Sequence, residues 1–217
     1  MRVLIGLVLA GLAIPGLASD SPLDRHNEIM SNERLRQQAY NAGEERVLFC
    51  GYCHGADGNS KRDYIPNLAG QNPVYLFNAF RKFGSGERPN YVMSELAKTL
   101  SEEEQVNIAI YYSRQEVTSE PPDSPALYSR GETVFSNACS QCHGREGKGH
   151  AEMPRLAGQP AEYIRNTLRL FRNKDPGRKS DTMRAVAANL SDHEIQAVAE
   201  YVQSMGGRHR ASGSDDL

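Results

Sequence analysis

Apolar positions along this chain recur at helical spacing, and no segment sustains the two-residue alternation of a half-buried strand. Behind Ser101-Glu102-Glu103-Glu104, the residues Val106, Ile108, Ala109 and Ile110 form an apolar face. Behind Ser191-Asp192-His193-Glu194, the residues Ile195, Val198, Ala199 and Val202 do the same. Each serine stands three residues ahead of a glutamate, which is the capping-box pattern of a helix N-terminus. A middle helix is predicted to start near Val74 and another near Ala161, each just after a proline. The Gly- and Pro-rich stretches between them read as loops, and no convincing strand pairs emerge. The pattern predicts an all-α chain.

The matching helices belong to a longer repeat. Gly43-Glu44 is matched by Gly131-Glu132, and Pro66-Asn67-Leu68-Ala69-Gly70-Gln71 by Pro154-Arg155-Leu156-Ala157-Gly158-Gln159. Tyr75-Leu76 returns as Tyr163-Ile164, and Phe83 returns near Phe171. Met93, Leu100-Ser101 and Tyr111 return as Met183, Leu190-Ser191 and Tyr201, with an offset that drifts only from 88 to 90 residues. Such register marks a tandem duplication. The lobes are placed at residues 41–116 and 126–206. Pro121, Pro122 and Pro125 predict a non-helical, extended connector over 117–125. Residues 19–40 form a polar, charge-rich extension read as a solvated tail. The stretch Asn32-Glu33-Arg34-Leu35-Arg36 leaves a helix or a partner contact as the alternative. Residues 207–217 read as a polar tail.

Each lobe carries one Cys-x-x-Cys-His pentad, Cys50-Gly51-Tyr52-Cys53-His54 and Cys139-Ser140-Gln141-Cys142-His143, and together they use all four cysteines. This is the attachment signature of covalent c-type haem. Cysteines three apart on one helical turn can each take a vinyl group of one porphyrin, and the next residue sets an imidazole on the iron. A zinc ribbon would bring its cysteine pairs about 15–20 residues apart, whereas 85 residues separate these. A thioredoxin-like motif needs neither the histidine nor a second copy. The pattern predicts two haem c groups, with Cys50, Cys53, Cys139 and Cys142 as thioether positions and His54 and His143 as proximal iron ligands.

The sixth iron position suits a thioether, because His/Met ligation raises the reduction potential. Met93 and Met183 alone stand in register, 39 and 40 residues after their histidines, and are expected in a loop before the last helix. Met30, Met153 and Met205 lack such register and read as core or surface residues. His26, His150, His193 and His209 have no counterpart in the other lobe and read as surface residues. Pro66 and Pro154 are expected to fix the loop whose carbonyl accepts the proximal imidazole N–H. Lobes of about 80 residues are marginal as lone cores, so each is expected to fold poorly without its haem.

Met1-Arg2, the apolar run Val3–Leu17 and the small residues before Ala18 predict a signal peptide over 1–18 and export to the periplasm. Cleavage after about Ala18 leaves 217 − 18 = 199 residues and moves the formal charge from −2 to −3. This mildly acidic chain has no Trp and no aromatic-rich basic stretch, which argues against a nucleic-acid partner. Residues 41–116 hold eight Lys/Arg against ten Asp/Glu, and residues 128–205 hold eleven against nine. Arg165, Arg169, Arg172, Lys174, Arg178, Lys179 and Arg184 concentrate the second lobe's surplus. They read either as a solvated face or as a basic docking patch for a redox partner.

Taken together, both pentads, both Pro-x-Leu-Ala-Gly-Gln segments, both methionines and the two-lobe order resemble the dihaem cytochrome c4 family over about 165 residues. The resemblance implies two tandem cytochrome c-like lobes about a pseudo-twofold axis. It also implies a periplasmic, often membrane-associated carrier of single electrons, from a donor such as a quinol-oxidising complex toward a haem–copper terminal oxidase. Two alternatives stay open. One is the dihaem electron-accepting subunit of a flavoprotein dehydrogenase of the sulfide type. The other is a dihaem enzyme with an exchangeable sixth ligand.

Overall fold

The computed structural model describes residues 22–209. The predicted signal peptide and the far end of the polar tail lie outside the described residues. Helices dominate: α1 (Pro22–Ser31), α2 (Glu33–Arg46), α3 (Gly51–His54), α4 (Pro73–Gly84), α5 (Tyr91–Thr99) and α6 (Glu102–Ser113), then α7 (Pro125–Ala138), α8 (Ser140–His143), α9 (Ala161–Arg172), α10 (Asp181–Ala188) and α11 (Asp192–Ser204). A 3-10 turn over Val47–Phe49 joins α2 to α3. The chain is all-α, with two helical lobes in tandem.

Each lobe is built around a close crossing of its first and last long helices, α2 on α6 and α7 on α11. Glycine permits the approach. A Cβ on Gly43 would lie 2.3 Å from the Asn107 carbonyl oxygen, and one on Gly131 would lie 2.1 Å from that of Ala197. Leu76, Phe77, Phe80 and Phe83 from α4 and Ile108 and Tyr112 from α6 fill the first core. Phe135, Ile164, Leu168, Ile195, Val198 and Val202 fill the second. Both capping boxes form: Ser101 and Ser191 accept the backbone N–H of Glu104 and Glu194, whose carboxylates reach back to the serine N–H groups.

The doubled Leu-Ala-Gly-Gln segments have a structural cause. Leu68 and Ala69 donate to the Gly58 carbonyl, as Leu156 and Ala157 donate to that of Gly147. Gly70 and Gly158 then donate to Tyr112 and Val202 near the end of each lobe's last helix. The segment thus ties the loop after each pentad to the helix that closes the lobe.

Four expectations are corrected. The 19–40 extension is helical rather than a solvated tail where it is described. Asn32 caps α2 by accepting from Arg34 and Leu35, and Ile29 of α1 is buried in the first core. Pro125 opens α7 instead of excluding a helix, because a first-turn position needs no N–H partner and Ser124 caps it. The connector is not free either: Thr118–Ser119 (β1) pairs in parallel with Arg208–His209 (β2), which draws the start of the 207–217 tail into order. Lastly, Met93 and Met183 stand in the first turns of α5 and α10, not in loops. Asn90 and Ser180 cap those helices by accepting the methionine N–H groups.

Candidate functional site

Both pentads sit on a single helical turn, with Cys50 leading into α3 and Cys139 into α8. None of the four cysteines forms a disulfide. Burial pushes the Cys139 thiol up to about 11 and raises Cys50 as well. A thiol–disulfide catalyst needs the opposite shift, toward thiolate at neutral pH. Among the described residues no three His, Cys, Asp or Glu side chains converge as a metal cage would require.

His54 and His143 are buried, and their Nδ1 atoms lie 2.9 Å from the carbonyl oxygens of Pro66 and Pro154. A carbonyl can only accept, so Nδ1 carries the proton and Nε2 keeps its lone pair. Burial lowers the pKa of both rings, and the hydrogen bond to proline only partly opposes it. Each imidazole is therefore neutral and oriented, with Nε2 as its donor atom. Met93 packs at the edge of the first core together with Cys50, and Met183 at the edge of the second with Cys139. Each lobe thus brings its pentad, proline and methionine together around one core.

Sequence reasoning missed a cationic cluster between the lobes. Arg88 donates to the Tyr163 hydroxyl at 3.4 Å, across the lobe boundary, and Arg178 donates to it at 3.3 Å. Burial resists ionisation of Tyr163, yet Arg178 and Arg88 outweigh it and pull the phenol down to about 7. Neither arginine forms one of the ion pairs found among the described residues. Arg88 and Arg178 are equivalent in the repeat, 90 residues apart, and that register was the available signal.

These residues fit a covalently held haem. Two thiols on one turn, a neutral imidazole with a free Nε2 and a core-edge thioether could supply its donor set. Arg88 and Arg178, which form none of the ion pairs found among the described residues, suit the propionates of such a group.

The expected basic patch is less uniform than its sequence. Arg165 pairs with Glu162 and Glu200, Arg172 with Asp192, and Arg184 with Asp181. Arg178 turns inward to Tyr163 and Thr167. Arg169, Lys174 and Lys179 form none of the ion pairs found among the described residues. The surfaces beside the pentads also differ. Leu48, Phe49 and Tyr52 are exposed in the first lobe, where the second has Asn137, Ala138 and Gln141.

Comparison with known proteins agrees with this geometry. The Cytochrome c family model matches residues 128–206. A cytochrome c4 of Thiocapsa roseopersicina is 38% identical over 180 residues, covering 76% of this chain and 91% of that protein. A thiosulfate dehydrogenase electron acceptor of Thiomonas intermedia is 36% identical, covering 74% and 80%. The crystal structure of reduced recombinant cytochrome c4 from Pseudomonas stutzeri superposes with a TM-score of 0.72 at 34% identity, covering 76% of this chain and 98% of that one. With its doubled lobes, buried neutral imidazoles and thiols placed for thioethers, the chain belongs to the cytochrome c4 family: it is a dihaem electron-transfer cytochrome whose two haem c groups are covalently bound.

Proposed function

We propose that this cytochrome is a periplasmic carrier that takes single electrons from a quinol-oxidising donor and delivers them toward a haem–copper oxidase. The observation carrying this reading is the pair of matched sites, each with a buried neutral histidine locked to a proline carbonyl and a methionine on the same core. Cys50 and Cys53 would hold one haem and Cys139 and Cys142 the other. His54 with Met93, and His143 with Met183, would be the axial ligands. Haem supplies a one-electron couple there, and the thioether ligand raises its potential.

The protein's own contribution is rigidity. Pro66 and Pro154 hold the imidazoles in one tautomer, and the Asn90 and Ser180 caps fix the helical turns that bear the methionines. A site that keeps its ligands through oxidation and reduction exchanges electrons with little rearrangement. Substrate chemistry would need an exchangeable iron position.

The thiosulfate dehydrogenase electron acceptor among the relatives favours a second reading, in which the donor is a sulfur-compound dehydrogenase. Rapid mixing of the reduced cytochrome with an oxidase, and of the oxidised cytochrome with such a dehydrogenase, separates the two. An optical spectrum with haem quantification tests the ligation. Two haems per chain and a near-red Fe–S(Met) band are expected, with half of that band lost in either Met93→Ala or Met183→Ala. A high-spin haem in the unmodified protein would refute the carrier assignment.

A further inference from the structure

The pseudo-symmetric glutamines that end the two Leu-Ala-Gly-Gln segments reach across to the opposite lobe, while Gln71 Oε1 also accepts the Asn72 N–H of its own. Gln71 crosses to the second lobe, where its Oε1 accepts the Arg155 N–H at 2.6 Å and its Nε2 donates to the Arg155 carbonyl at 2.9 Å. Gln159 makes the reciprocal crossing: its Oε1 accepts the Asn67 N–H at 3.0 Å and its Nε2 donates to the Asn67 carbonyl at 2.7 Å. Gln71 and Gln159 are 3% and 4% exposed, so water competes little with these bonds.

Asn67 and Arg155 directly follow Pro66 and Pro154, whose carbonyls accept the imidazole N–H groups of His54 and His143. Each glutamine therefore holds both the N–H and the carbonyl of the residue that follows the other lobe's histidine acceptor. We infer that Gln71 and Gln159 are crossed positioning residues: each sets, through the proline carbonyl, the reduction potential of the haem in the opposite lobe.

The physical chain is short. An outer hydrogen bond to a ligating imidazole fixes its orientation and raises its basicity. A more basic imidazole favours ferric over ferrous iron and lowers the potential. Cutting the clamp lets the proline carbonyl drift, weakens that bond and raises the potential. Each crossing has a further bond beside it. Asn67 adds a bond of its own, from Nδ2 to the Gly158 carbonyl at 2.7 Å, and its Oδ1 accepts from Ser60 within the first lobe. Arg155 instead turns its Nε to Ala157 of its own lobe. The second lobe's acceptor loop has its further bond from Asn72 of the first lobe, whose Nδ2 donates to the Met153 carbonyl at 2.8 Å.

This inference rests on the proposed histidine–methionine ligation, and the test separates the two. Redox titration of the full holoprotein is followed by NMR, with the axial methionine methyl signals reporting each lobe by itself. Gln71→Leu should raise the potential of the second-lobe haem and leave the first unchanged. Gln159→Leu should do the reverse. Solvent exchange of the imidazole N–H should quicken in the same crossed pattern, which a general loosening would not produce. Should either leucine variant fail to hold haem, Gln71→Ala and Gln159→Ala take its place. Each removes both bonds without adding charge or bulk, so a crossed shift in the same direction is expected. A shift confined to the variant's own lobe, or equal in both, would overturn the crossing. If the unmodified protein lacks signals from His54 and His143 on iron, the ligation reading fails instead.

Discussion

At the scale of single residues, the duplication was the most informative signal. Met93 and Met183 stood out among the methionines because they alone kept register, and Pro66 and Pro154 because they preceded a repeated segment. The partners of Gln71 and Gln159 were not legible. They lie 84 and 92 residues away along the chain, and a side chain crossing between lobes leaves no local pattern. Gly43 and Gly131 were legible as repeated positions, but only the helix crossing explains them. Replacing Gly43 with alanine puts a methyl group into the Asn107 carbonyl and the Tyr111 side chain. Overpacking of this kind costs about 1–3 kcal/mol. Urea unfolding of Gly43→Ala should show a loss in that range or above, and Gly131→Ala should behave alike.

At the scale of elements, capped amphipathic helices were readable and short ones were not. The boxes before α6 and α11 carry a serine, a glutamate and a long apolar face together. Asn90 and Ser180 cap helices of only nine and eight residues, too short for periodicity to register. Both box glutamates bear on acid stability. Arg46 and then the Ser101 N–H hold Glu104 below the usual carboxylate range, while the Ser191 N–H does so for Glu194. A carboxylate depressed in the folded state stabilises it above the unfolded value of about 4.3, and that contribution is lost as pH falls. The thermal midpoint should therefore drop between about pH 5 and pH 3. Its slope should flatten in a Glu104→Gln, Glu194→Gln double variant, since glutamine keeps a hydrogen bond without titrating.

At the scale of the whole molecule, the lobes share a fold and differ in surface. Ion pairs to Arg165, Arg172 and Arg184 consume much of the charge that the second lobe's sequence advertises. Any electrostatic steering by this face then rests on Arg169, Lys174 and Lys179. Neutralising these three should slow electron exchange with an acidic partner at low ionic strength and reduce its salt dependence. Neutralising Arg172 should change it little. First-lobe exchange, beside exposed Leu48, Phe49 and Tyr52, should vary less with salt, as stopped-flow mixing over a salt series would show.

The reciprocal glutamine bonds also bear on descent. A duplicated gene can normally shed one copy and return to its ancestor. Here a lone half would bare Gln71, or Gln159, together with the peptide its counterpart used to cover. Losing a repeat would thus demand compensating changes at a surface that was once an interior. The crossing works as a ratchet: once the two halves exchanged these side chains, the route back to a monohaem ancestor narrowed at both ends.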